Sequence, residues 1–129
     1  MIPIVAATIA AVLLVALAVL QVLLAAGRPY GALVWGGQHR ILPRGLRIGS
    51  AVAVVLYAAF AAVLLARAGV LPGQDAPFVR VATWVLFAYF TVGIVMNGIS
   101  RSRPERLTMT PVCVVLAGST LVLALTGSG

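Results

Sequence analysis

Only His39, Asp75, Glu105 and Cys113 offer an imidazole, a carboxylate or a thiol in this chain of 129 residues, and no two stand at a spacing that metal binding or nucleophilic catalysis uses. A single cysteine excludes an intrachain disulfide and any multi-cysteine metal or iron–sulfur site, and its apolar neighbours mark Cys113 as a packing residue. A lone histidine in a stretch broken by glycine and proline does not supply the paired axial ligands of haem in a helical bundle, so His39 reads as a surface residue. The hydroxyls of Thr83, Thr91, Ser119 and Thr120 have no base close to them in sequence, and a lipid-modifying enzyme would have only Glu105, Asp75 and His39 to draw on. The expectation is a protein that is not an enzyme and carries no metal or cofactor.

The remaining polar chemistry is amide, hydroxyl and guanidinium. Thr83, Thr91 and Asn97 fall within one apolar stretch, where a polar side chain must find a partner, and they are the candidate polar groups inside the membrane. Asn97 is the sharpest of them: its amide can bond a neighbouring helix, an ion or the start of the next segment, with the bond between helices as the first expectation. Trp84, Phe87, Tyr89 and Phe90 share that stretch and are expected to pack the bundle or anchor it at an interface.

All nine basic residues are arginines (28, 40, 44, 47, 67, 80, 101, 103 and 106) against two acids, for a net charge of +7. In a soluble protein that excess would attract nucleic acid, but here the charges sit between apolar runs, so they read as topology signal and lipid-headgroup contact, with no nucleic-acid partner. Arg40, Arg44 and Arg47 recur at spacings of four and three and share a face if that stretch is helical. Arg101, Arg103 and Arg106 surround Glu105 in sequence, either as an ion-pair cluster for an anionic headgroup or acidic partner or as a solvated loop. Arg67 is placed to snorkel from a span end, and Asp75 to be solvated.

These residues need elements to hold them, and composition says which. A chain this short that is 63% hydrophobic and 9% charged, with a mean hydropathy of +1.17, exceeds what a soluble core of its size can bury, so lipid must cover the rest. Four apolar runs, residues 4–26, 48–66, 78–99 and 109–125, predict an all-α integral membrane four-helix bundle in a single domain, with antiparallel up-down topology. The first run lacks a basic leader and far exceeds a signal-peptide core in length, so it reads as a retained helix. Residues 27–47 are too interrupted by glycine and proline to cross, and predict an interfacial loop with Tyr30 and Trp35 at headgroup depth. The composition of residues 69–77 fits a tight reversal.

The fourth run is short for a crossing. Ser102 stands three residues before Glu105 and forms a capping box with it if a helix starts there; Thr110 followed by Pro111 equally fits a fresh helix start. Pairs of small residues at spacing four, Ala6 with Ala10, Gly45 with Gly49 and Ala58 with Ala62, allow close helix approach within the chain or between copies. The first and third connections hold seven of the nine arginines, which places them on the cytoplasmic side and both termini on the other, and disfavours insertion in both orientations.

Residues 96–111, MNGISRSRPERLTMTP, resemble the third-loop region of short, functionally unassigned bacterial membrane proteins with four predicted helices. The resemblance implies the fold and a bacterial inner membrane, and carries over no catalytic residue. Small multidrug exporters share the length, but their first helix carries a glutamate where this chain offers only Thr8 and Gln21. The functional expectation is a non-enzymatic module that acts by association, with itself as a homo-oligomer or with a larger membrane complex, in contact with anionic lipid headgroups. The alternative is a small oligomeric channel or carrier for a neutral or anionic solute, resting on Thr91, Gly93 and Asn97.

Overall fold

Glycine stops the first two helices by the same device. At Gly27 and Gly69 the backbone turns left-handed, with φ of +88° and +87°. Arg28 N–H then returns to the Leu23 carbonyl and Val70 N–H to the Leu65 carbonyl, each at 3.0 Å, which satisfies carbonyls that a helix end leaves open. Between these stops the computed structural model, which describes residues 1–126, is all-helical: α1 spans Ile2–Ala25, α2 Arg44–Arg67, α3 Pro77–Gly98 and α4 Arg103–Thr126. There is no strand among the described residues. Each of the four helices is long and apolar enough to cross a membrane.

Two boundaries differ from those the apolar runs predict. Helix α2 starts at Arg44 rather than 48, because Pro43 adopts an extended conformation that suits the residue before a helix. Arg44 and Arg47 therefore lie in its first turn while Arg40 stays outside, so only two of the three share a helical face. Helix α4 starts at Arg103 and runs through Pro111 without a break, which takes the earlier of the two starts open in the sequence and extends the fourth helix to 24 residues. The capping box forms by half: the Glu105 N–H lies 3.5 Å from Ser102 Oγ, but the Glu105 side chain turns away and Ser100 Oγ takes the Ser102 N–H instead.

Helix α1 packs on α2 and α4, α3 packs on α4, and α2 meets α3 through Phe60, whose ring sits edge-on to Tyr89 and Phe90. The shared core is Ala6, Ala7, Ala10 and Leu14 with Leu64, Leu86, Leu116 and Leu123, all buried. Small residues along this seam let the helix backbones approach closely. Ala6 and Ala10 do this inside the chain, whereas Ala58 and Ala62 face outward.

The connection between α1 and α2 contains two short 3-10 turns, Gly31–Leu33 and Trp35–Gly37, and lies against the start of α4. Ser102 Oγ donates to the Ala32 carbonyl, and Gly31 N–H to the Arg40 carbonyl at 2.8 Å. Arg47 Nε donates to the Ala25 carbonyl at 2.9 Å, placing its positive charge on the C-terminal end of α1, where the helix dipole favours it.

Candidate functional site

A cavity of about 440 Å³ opens between the helices beside this connection. Every segment contributes: Leu17, Leu20 and Gln21 from α1, Tyr57 from α2, Tyr89 to Asn97 from one face of α3, Glu105 to Leu116 from one face of α4, and Leu33, Val34 and Trp35 as a roof. Its floor is Phe90 and Leu116, 3% and 1% exposed, which also belong to the core. Its mouth follows from the lining residues that remain exposed: Tyr89, Val92 and Met96, one ridge of α3, with Trp35 beside them. The opening is thus on the outer, apolar side of α3.

The roof depends on unusual backbone. Trp35, Gly36 and Gly37 are consecutive left-handed residues with φ of +53°, +73° and +72°. For tryptophan that region costs on the order of 1 kcal/mol. The indole packs over Gly49 of α2, where a Cβ would come within 3.2 Å of the ring, so the absence of a side chain there makes room for it.

Two polar side chains of the lining are each only 7% exposed: Gln21, beside Tyr57, and Glu105, beneath the roof. The Gln21 amide faces the Tyr57 hydroxyl, but its Oε1 meets no donor. The Gly36 N–H and the Ser100 hydroxyl lie near the Glu105 carboxyl, and its Oε2 meets no donor. It precedes the apolar stretch of α4, and burial raises its carboxyl above the ordinary value, with the Gly36 and Ser100 hydrogen bonds opposing. Its arginine neighbours in sequence do not neutralise it. Arg101, Arg103 and Arg106 are exposed, Arg106 Nη1 donates to the Ser100 carbonyl at 3.1 Å, and the one ion pair among the described residues is Arg67 with Asp75 at 3.5 Å. No ion-pair cluster forms among these residues: the three arginines are exposed, and Glu105 alone of the four is buried.

Of the three candidate polar groups inside the spans, Asn97 alone lines the cavity. Its Nδ2 donates to the Gly93 carbonyl at 2.8 Å and to Cys113 Sγ at 3.3 Å, linking α3 to α4. Gly93 makes this approach possible, since a Cβ would stand 3.1 Å from Cys113 Sγ. Thr83 is fully buried and Thr91 exposed, and each hydroxyl donates at 2.8 Å to the carbonyl four residues back, which satisfies it within its own helix. Arg40 and Arg44 are exposed, and Arg47 is partly covered against α1.

Arg67 does not snorkel. It is 4% exposed and folds across the end of α4, donating to the carbonyls of Leu123 at 3.2 Å, Ala124 at 3.4 Å and Gln74 at 3.1 Å. Asp75, expected to be solvated, is exposed but pairs with it. No His, Cys, Asp and Glu group able to hold a metal occurs among the described residues.

Sequence reasoning passed over Gln21 and Glu105 as members of one site, because 84 residues separate them. The available signal was Gln21 itself, the one long polar side chain in an otherwise apolar first span. Comparison with family models, with characterised proteins and with solved structures finds no match to this chain.

Proposed function

We propose that the chain is a multi-pass protein of a bacterial inner membrane, with antiparallel helices and cytoplasmic arginine-bearing connections, and that it acts without catalysis, by association. The resemblance of residues 96–111 to short bacterial membrane proteins and the exclusive use of arginine as the basic residue support the setting. One observation carries the association reading. Arg28, Arg40, Arg44, Arg101 and Arg103 are exposed, and none of them pairs with a carboxylate among the described residues. Guanidinium matches phosphate bidentately, so anionic headgroups are its first partners, and a second copy or a larger membrane complex assembles on the same face.

Extraction in mild detergent should recover the chain with bound anionic phospholipid and in an assembly larger than one copy. Replacing Arg40, Arg44, Arg101 and Arg103 together by glutamine should lose both. Strictly monomeric behaviour in nanodiscs, with no partner recovered by pull-down, would defeat the proposal.

A channel or carrier for a neutral or anionic solute is the second reading, favoured by Asn97 and Gly93 lining the cavity. The cavity ends at Phe90 and Leu116, and the apolar core lies beyond them, so an oligomer would have to complete a path. Liposome flux of the native chain beside Asn97→Leu separates the two: a transporter loses flux on substitution, and an association module shows none in either.

A further inference from the structure

The lining of the cavity has an unbalanced chemistry. Two oxygens, Gln21 Oε1 and Glu105 Oε2, lack donors, and both belong to side chains more than nine-tenths buried. A buried carboxylate without a cation costs far more than a buried amide, and no arginine in the described residues supplies that cation. What the site lacks is therefore a group with several polar hydrogens and a positive charge. Tyr57, Tyr89 and Trp35 add aromatic faces to the same lining, and such faces attract cations. The rest of the lining is apolar, with Leu17, Leu20, Met109, Val112 and Leu116 forming its walls.

The mouth says from where an occupant arrives. Val92 and Met96 are 60% and 61% exposed on the outward face of a helix apolar enough to cross a membrane, so the opening faces hydrocarbon. The terminal torsions of glutamine and glutamate are soft, which lets both oxygens turn toward an incoming donor.

We propose that this cavity is a binding site for a single-tailed cationic amphiphile, a primary ammonium on an alkyl chain, which enters sideways between Tyr89, Val92, Met96 and Trp35 and places its ammonium against Glu105 and Gln21. An alcohol of the same length offers the apolar body and one donor without the charge. A carboxylate of the same length brings a second negative charge to Glu105. The site rests on the chain lying in a bilayer and is independent of the association proposed above.

The test uses the full chain in phosphatidylcholine nanodiscs, with Trp84→Phe so that Trp35 is the only tryptophan. Decylamine, decanol and decanoate are titrated in turn at neutral pH, and Trp35 emission is followed. The expected result is a saturable response to decylamine, a response to decanol weaker by about tenfold or more, and none that saturates with decanoate. Glu105→Gln should bring decylamine down to the affinity of decanol. Val92→Phe, at an outward position that leaves the core intact, should weaken decylamine through the mouth alone. Equal affinities for amine and alcohol, an amine response untouched by Glu105→Gln, binding undiminished by Val92→Phe, or only unsaturable partitioning in every arm would each overturn the proposal. Failure of the chain to enter nanodiscs would overturn the bilayer reading on which it rests, and is scored before any titration.

Discussion

Arg67 shows how far a single side chain departs from what its sequence position implies. At the end of an apolar run, arginine is expected to reach outward to headgroups, but this one turns inward because α4 ends beside it with open carbonyls. A guanidinium is the one side chain with enough donors to serve Leu123, Ala124 and Gln74 and still meet Asp75. Arg67→Leu keeps the bulk and removes every donor that serves those carbonyls; loss of hydrogen bonds from a charged group predicts a destabilisation of about 2–3 kcal/mol. Thermal unfolding in detergent, with Arg80→Leu as the exposed control, checks it, and equal midpoints for the two variants would contradict the role. The sequence puts Arg67 at the end of the second span and Glu105 in the polar junction before the fourth, but does not show that both fold inward. That depends on which helix end or loop lies opposite, and a single position carries no record of its neighbours across the bundle.

At the scale of elements, the four helices were legible because about twenty apolar residues in succession have few other uses, and the structure places helices over all four runs. What the apolar count missed were the helix starts at Arg44 and Arg103, the second of which the Ser102 and Glu105 spacing leaves open, because charged residues extend a helix beyond its apolar run without changing the hydropathy of its middle. The connection over residues 27–47 was legible as a loop but not as the roof of a cavity. Its docking depends on contacts distant in sequence, above all Ala32 with Ser102. Gly31 is the tightest point: a Cβ there would fall 1.8 Å from the His39 carbonyl oxygen, a backbone atom with no freedom to yield. Gly31→Ala should therefore undock the roof while leaving the helices intact. Circular dichroism should be unchanged, and amide exchange over residues 31–37 should rise to rates typical of an exposed loop. Protection equal to that of the native chain would mean that the roof is not held by this contact.

At the scale of the whole molecule, the two ends differ in kind, and the difference bears on how the chain is inserted. The connections at residues 27–43 and 99–102, with the adjoining helix starts, carry seven arginines, whereas Arg67 and Arg80 flank the second connection. Arg67 is consumed in binding carbonyls and Asp75, so once folded that end presents Arg80 as its free positive charge. On the proposed bilayer setting, arginine near span ends decides topology during insertion, and the folded asymmetry reinforces the choice, because returning the seven-arginine end across the bilayer would desolvate many charges at once. On the proposed orientation, a cysteine placed at Gln38, in a Cys113→Ala background, should react with a membrane-impermeant maleimide only after the cells are opened. A cysteine at Leu71, which is exposed in the connection between α2 and α3, should react in intact spheroplasts. The reverse pattern would place the arginine end outside, and labelling of both sites in intact spheroplasts would mean that the chain inserts both ways. Either outcome would remove the anionic cytoplasmic leaflet as the surface against which Arg40, Arg44, Arg101 and Arg103 are proposed to act.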